Sequence, residues 1–445
     1  MSKKTPSSYV IFNEDLCIGC AECMKVCPTR AIRIRDERSV RLLDQCIGCG
    51  ECLRVCPAGA ITTDQPELEP LDENKFSAVV VSPVLFSQFP GEMPSDILAG
   101  LKMMGYTHII ELSDYLEMFQ FAAVTFIQEN RKNKETRWPL LSPVCPVVVS
   151  LIAIRFPGLL KHIIPIERPL VLLISDIKNK ISRQFGIKKK DIILHHITPC
   201  PSKAVLERSL SKHERLNIDM AFGINSVYSE LFHKIEEVKK ADILSFSRDR
   251  FDSFTSGRCL KWGMSGGEIS GMRIDKSMAV CGIKETIDYL EKIELGMFRN
   301  MEYIEFRACP EGCLGGPLTV IDKYLAKSGI YRRVKMFGMG RRLPRYKIRK
   351  LYDDGWFFPK TGPIEDQILN TLRKKPLSIE SLHEIDLIFE KIRGKNCAVC
   401  GSPDCRTFAE DVVRGDAKLS QCIVLRARNK AGDEKKKKRK GKVKK

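Results

Sequence analysis

Apolar positions between residues 76 and 345 follow two rhythms in alternation. Short runs rich in β-branched and aromatic residues, at 78–81, 108–112, 170–174, 191–197 and 301–306, predict strands. Between them, 95–104, 115–131, 178–185 and 283–295 carry apolar residues at helical spacing. Strand and helix in alternation predict an α/β core with parallel strands, whose functional residues gather at the strands' carboxyl ends. Further on, 364–392 has helical periodicity, with Ile368, Leu369 and Leu372 followed by Leu382, Ile385, Ile388 and Ile392. The longest apolar stretch, 143–154, is broken by Ser150 and stopped by Arg155, so it predicts buried core rather than a membrane span.

Composition sharpens this picture at two points. The chain has 445 residues, 43% of them hydrophobic and 29% charged, which is ample for several cores. It also has 18 cysteines and a formal net charge of +19. A secreted disulfide scaffold fits poorly, because such scaffolds are typically short and this chain is long. The opening residues 1–8 are polar and the first apolar stretch is only 9–12, so no secretory signal is expected and the chain is read as cytoplasmic and reduced. Much of the charge sits at the end, where 430–445 holds ten Lys or Arg against two acids. From 426 onward the chain should be a disordered basic tail, either simply solvated or an arm for an acidic partner or nucleic acid.

The cysteines sort by spacing. Cys17, Cys20, Cys23 and Cys27-Pro28 recur as Cys46, Cys49, Cys52 and Cys56-Pro57, and eleven of the sixteen positions in 17–32 and 46–61 are identical. This is the bacterial ferredoxin spacing for two 4Fe–4S clusters, in which the fourth cysteine of each run serves the other cluster. Cys17, Cys20, Cys23 and Cys56 should hold one cluster, and Cys46, Cys49, Cys52 and Cys27 the second. A second quartet, Cys397, Cys400, Cys405 and Cys422, closes the chain. Phe408, Val412, Val413 and Leu419 place Cys422 on or just after a helix. The quartet resembles the small 4Fe–4S domain of RnfB-type electron-transfer subunits and corrinoid iron–sulfur proteins, although thiolates also suit zinc.

In the middle of the chain Cys145, Cys200, Cys309 and Cys313 lie where strands should end, in the segments Ser142-Pro143-Val144-Cys145-Pro146, Thr198-Pro199-Cys200-Pro201-Ser202-Lys203 and Cys309-Pro310-Glu311-Gly312-Cys313-Leu314-Gly315-Gly316. Taken singly, any one of these could be an inert buried thiol. Together, and in this order, they resemble the three signature segments of the iron-only (FeFe) hydrogenase catalytic domain. The 78–83 strand resembles that family's opening strand, and 263–267 its cofactor-facing glycine loop.

The resemblance covers about 76–345. It implies an H-cluster, with Cys145, Cys200, Cys309 and Cys313 on a 4Fe–4S cubane and Cys313 bridging to a possible di-iron unit. Lys203 would meet a cyanide of that unit, and Gly266, Gly267, Gly315 and Gly316 would allow close backbone approach. The implied activity is reversible interconversion of hydrogen with protons and electrons, with a ferredoxin or another electron-transfer subunit as redox partner.

The implied organisation is a two-cluster α+β ferredoxin domain (1–66), a hydrogenase-like α/β domain (76–350), connector helices with a small helical iron–sulfur domain (364–425), and the tail (426–445). The sequence departs from the family at several places. Val144 stands where the family has its proton-relay cysteine, Thr198 and Arg307 replace two methionines, Glu207 is shifted by one, and Pro317 replaces a third glycine. These departures point to a slow or sensory member. The alternative is a non-hydrogenase electron-transfer or iron–sulfur assembly protein that keeps only the cubane. His195 and His196 suggest an alternative proton route or plain strand-end imidazoles. Cys281 is expected in the core, and Cys259 in the core or near the cluster.

Overall fold

The computed structural model describes residues 10–35, 39–42, 45–72, 74–204, 218–240, 256–339, 343–359, 377–392 and 394–428. Glu207, the connector from 364 to 376 and the basic tail from 429 onward lie outside these residues. The chain divides into two compact units: residues 1–10, 47–50 and 63–371 form one, and residues 11–46, 51–62 and 372–445 the other.

In chain order the strands are β1 (Val10–Phe12), β2 (Ile32–Arg35), β3 (Ser39–Leu42), β4 (Ile61–Thr63), β5 (Phe76–Val81), β6 (His108–Glu111), β7 (Leu140–Leu141), β8 (Ile192–Thr198), β9 (Met220–Gly223), β10 (Ser277–Cys281) and β11 (Tyr303–Arg307).

The larger unit is α/β and contains two wholly parallel sheets. One runs β6-β5-β8-β9 and the other β10-β11-β7. Parallel pairing requires long crossovers, and the helices predicted from periodicity supply them. They include Pro94–Met103, Ser113–Asn130 and Ile283–Glu294. Strand β5 lies at the centre of its sheet, and Ala78, Val79, Val80 and Val81 are almost wholly buried, as expected for a strand covered on both faces. The 143–154 stretch forms the buried helix Pro146–Arg155.

One predicted strand is a helix. Residues 170–174 lie in the first turns of Pro169–Phe185, which starts on a proline at its first helical position and ends on Gly186 at φ 69°. A short continuous apolar run looks the same in a buried strand as in a helix. Here Leu172, Leu173, Ile177 and Ile181 recur at a helical period and fill the core beside Leu116 and Phe119. Strands β7, β9 and β10 had no expectation attached to them, and β7 is only two residues long.

In the smaller unit β2 pairs antiparallel with β3, and two short helices, Glu22–Lys25 and Glu51–Val55, carry cysteines of the repeated runs. The C-terminal residues belong to this same unit. Helix Ile379–Ile392 packs on helix Cys405–Val413, with Ile392, Phe408, Ala417 and Cys422 forming a small core. Cys422 directly follows the short 3-10 turn Leu419–Gln421.

A buried bidentate pair joins this C-terminal module to the ferredoxin-type segment. Arg33 Nε donates to Asp411 Oδ2 at 2.6 Å, and Nη2 donates to Oδ1 at 2.9 Å. Ser402 Oγ donates to the same carboxylate, and the Ile34 N–H donates to the Gly401 carbonyl at 3.0 Å. Arg30 pairs with Asp404 at 2.9 Å nearby.

Removing one partner of a buried ion pair strands the other charge. R33M should therefore destabilise the joined modules by about 3–5 kcal/mol, while R33M/D411L should recover most of that loss. Urea unfolding measures both, and an unchanged midpoint in R33M would contradict the reading.

Candidate metal centre

The four cysteines of the larger unit converge. Cys145 precedes helix Pro146–Arg155 shortly after β7, Cys200 follows β8 by two residues, and Cys309 and Cys313 follow β11. All four lie beyond the carboxyl ends of parallel strands, where open α/β sheets place their sites. Cys145, Cys200, Cys309 and Cys313 line one cavity together with Val144, Pro146, Val147, Pro199, Lys203, Arg307, Ala308, Gly312 and Gly316. A second, adjoining cavity shares Val144, Pro146, Lys203 and Cys313 with the first. Its walls add Ser82, Pro83, Val84, Leu112, Leu116, Arg168, Pro169, His196, Trp262 and Gly263.

The segments are stitched by backbone contacts that leave no room for side chains. Cys313 N–H donates to the Gly263 carbonyl at 2.7 Å, and Leu318 N–H donates to that of Pro199 at 3.1 Å. A methyl group at Gly316 would sit 2.5 Å from the Pro199 oxygen, and one at Gly312 would sit 2.6 Å from Ser265 N. Gly312 also has φ 75°, in the left-handed region that disfavours other residues.

Of the four glycines predicted at the cofactor, Gly316 lines the cysteine cavity. Gly266, Gly267 and Gly315 line neither cavity. Gly267 and Gly315 are instead pressed against the backbone of Lys261 and Pro310. Pro317 lies against Gly50, one residue beyond Cys49 of the second ferredoxin-type run.

Burial dominates the electrostatics. Enclosure by protein pushes the Cys200 thiol up to about 12, against the opposing charge of Lys203. It also raises Cys145, which a backbone N–H and the charge of Arg307 partly offset. In the metal-free protein these groups are thiols at neutral pH, so loading metal on them must release protons.

Arg307, in a methionine position of the resemblance, is 1% exposed, with Glu305 and Glu268 bonded to its guanidinium. Burial opposes its charge, but these two carboxylates hold its pKa above the ordinary value. Thr198, in the other methionine position, is fully buried, and its Oγ1 has no hydrogen-bond partner among the described residues.

Alternation along β8 sends the two histidines to different surroundings. His196 lines the second cavity, whereas His195 Nδ1 lies 3.0 Å from Tyr106 Oη in the core, and burial lowers its pKa. Cys259 is buried in helix Gly257–Lys261 and lines neither cavity. Cys281, expected in the core, is half-buried at the end of β10. Sequence reasoning missed Arg168, Trp262 and Glu268, none of which carries a spacing signal.

In the smaller unit, burial pushes the Cys23 thiol up to about 11, reinforced by the neighbouring Cys20, Cys17 and Cys56. Burial also raises Cys52, with Cys46, Cys27 and Cys23 beside it. Cys56 thus lies near Cys23, and Cys27 near Cys52. In the C-terminal module Cys400, Cys405 and Cys422 share the small core, while Cys397 is exposed. Asn396 N–H donates to Cys405 Sγ at 3.2 Å. Among the described residues no group of three or more His, Cys, Asp or Glu side chains is arranged for a single metal ion.

Comparison with known proteins addresses the family. Residues 75–272 match the model of the iron only hydrogenase large subunit, C-terminal domain. Residues 9–59 match a 4Fe-4S dicluster domain, and residues 394–424 match a putative Fe-S cluster domain. Over residues 75–272 the chain is similar to iron-only hydrogenases, and the segments on either side of it are similar to 4Fe–4S domains.

Solved structures similar to it include an FeFe-hydrogenase studied for oxygen inactivation of its H cluster, at 15% identity over 68% of this chain and 94% of that one, with a TM-score of 0.46. A variant of HydA1 from Chlamydomonas reinhardtii is 14% identical over 68% of this chain and 95% of that one, with a TM-score of 0.45. An apo variant of the same enzyme is 13% identical over 69% and 95%, also with a TM-score of 0.45. No curated protein matches the chain. The matched hydrogenase segment ends before Cys309, so the third signature segment of this hydrogenase-like chain rests on its own geometry.

Because Gly316 abuts the Pro199 carbonyl, G316A should push the second and third cysteine segments apart. We expect a loss of about 1–3 kcal/mol from overpacking, read as a lowered thermal midpoint, together with loss of iron.

Proposed function

We propose that this chain is a slow or sensory hydrogen-converting iron–sulfur protein. Cys145, Cys200, Cys309 and Cys313 would hold a 4Fe–4S cubane, and Cys313 would also face a di-iron unit in the second cavity. The carrying observation is that four thiols from three distant segments line one cavity and that Cys313 and Lys203 line the adjoining one as well. The donor set suits the group. Thiolates are the ligands of iron–sulfur cores, and Lys203 and Arg307 supply cationic neighbours for an anionic centre.

When bound, the di-iron unit supplies the reversible conversion of hydrogen into protons and electrons. The chain's own residues would enclose and orient it. Lys203 offers an ammonium to both cavities and would donate to an anionic ligand such as cyanide. Val84, Leu112, Leu116 and Val144 keep the walls apolar and water out. Proton movement is where the chain departs from its relatives. Val144 occupies the relay position, is 5% exposed and has no proton to give. His196, on the wall of the same cavity, has an imidazole that can both accept and donate a proton.

Electrons would arrive through the ferredoxin-type clusters, one on Cys17, Cys20, Cys23 and Cys56 and the other on Cys46, Cys49, Cys52 and Cys27. A further cluster on Cys397, Cys400, Cys405 and Cys422 would join them, and the donor or acceptor would be a ferredoxin or another electron-transfer subunit in the cytoplasm. Among the described residues no helix is long and apolar enough to cross a membrane.

A second reading is favoured by the apolar Val144 between the two cavities: an electron-transfer or iron–sulfur assembly protein that carries the cubane alone. Anaerobic maturation followed by infrared spectroscopy separates the two. Carbonyl and cyanide bands are expected, and their absence in a chain with full cubane iron establishes the second reading. A methyl viologen assay on the same sample should show slow turnover. V144C restores an ionisable group at the relay position and should raise that rate by about 10²-fold or more.

A further inference from the structure

Arg307 has no part in holding thiols or moving protons, yet the fold invests heavily in it. Its Nε donates to Glu305 Oε1 at 3.1 Å and its Nη2 to Glu268 Oε2 at 2.9 Å, while the guanidinium lies 5.7 Å from the Trp262 ring centroid. These acceptors are themselves pinned. Glu268 accepts from Tyr303 Oη at 2.5 Å and Ser142 Oγ at 3.0 Å, and Glu305 Oε2 accepts from the backbone N–H groups of Glu268 and Ile269. The third nitrogen, Nη1, donates to no residue among those described, and Arg307 lines the four-cysteine cavity.

An ion cluster this deep is expensive to desolvate, and apolar residues of similar volume often serve stability as well or better. Stability therefore does not account for a fixed cation at the cavity wall. A reduced iron–sulfur cluster carries one more negative charge than its oxidised form, so a nearby cation favours the reduced form. Net charge and hydrogen bonds at the cluster are the protein's means of setting its potential.

We propose that Arg307 is a positioning residue that raises the reduction potential of the cluster on Cys145, Cys200, Cys309 and Cys313. It presents a fixed positive charge and free guanidinium N–H groups to the cavity, and Glu268, Glu305 and Trp262 hold it in one orientation. The inference rests on the cubane reading above. The electron added on reduction comes from the redox partner or, in the test, from dithionite.

The test uses the full chain loaded anaerobically with iron and sulfide and titrated with dithionite under electron paramagnetic resonance. The cavity cluster is identified as the signal that C309S lacks. R307M should move that signal's midpoint to a more negative potential, R307K should restore most of the shift, and the other clusters should keep their midpoints. E305Q removes a negative charge and should move the midpoint the opposite way. An unchanged midpoint in iron-replete R307M overturns the proposal. If R307M fails to load, E305Q decides alone, and no shift or a negative one overturns it. If C309S and the wild type carry the same iron and the same signals, the cubane reading itself falls and takes this inference with it.

Discussion

Four thiols that are far apart in the chain must meet in one cavity, and much of the larger unit is arranged around that requirement. The solution is a pair of parallel sheets whose strands β7, β8 and β11 each end at a cysteine segment. Parallel strands all deliver their following loops to the same edge, so chain segments with no sequence proximity become neighbours. Close approach is then completed by absent side chains, with Gly312 against the 263–265 loop and Gly316 against Pro199. Helix Pro169–Phe185 packs into the core beside Val144, and helix Pro146–Arg155 is itself largely buried.

Buried charge is the second constraint, and it appears in both units. Arg307 lies between Glu268 and Glu305, and Arg33 forks onto Asp411. Each pair gives up solvation, and each is compensated by further donors to the carboxylates, from Tyr303 and Ser142 in one case and Ser402 in the other. Both lie close in sequence to cysteines: Arg307 is two residues before Cys309, and Arg33 is six after Cys27. In the first case the charge faces the cavity. In the second it fastens the C-terminal module to β2, which follows the first ferredoxin-type run, within the smaller unit.

On the proposed reading, the second cavity keeps a hydrogenase-like framework with a different set of proton-handling side chains. Lys203 and Cys313 remain on its wall, but the relay position is an isopropyl group and the one imidazole on that wall comes from β8. Burial holds the Cys145 and Cys200 thiols high in pKa, so these two keep their protons until metal replaces them. Framework and proton traffic are therefore separable. The first depends on backbone approach and the second on single side chains.

The sequence by itself determined what is local. Cysteine spacing set apart three quartets, whose members recur within a short span or in matched repeats, while only resemblance grouped Cys145, Cys200, Cys309 and Cys313; apolar periodicity located β5, β6, β8 and β11 with their crossover helices. It failed where the deciding contacts are remote. The run at 170–174 is apolar throughout, and only its packing beside Leu116 and Phe119 makes it helical. Gly316 and Gly267 both press on backbone, that of Pro199 and Lys261 respectively, yet of the two Gly316 alone also lines the cysteine cavity. The tertiary structure also decided that His196 and not its neighbour meets the cavity, that Arg307 is held by two carboxylates, and that the C-terminal module joins the ferredoxin-type segment. Those outcomes are set by which segments a fold brings together, and residue spacing carries no record of that.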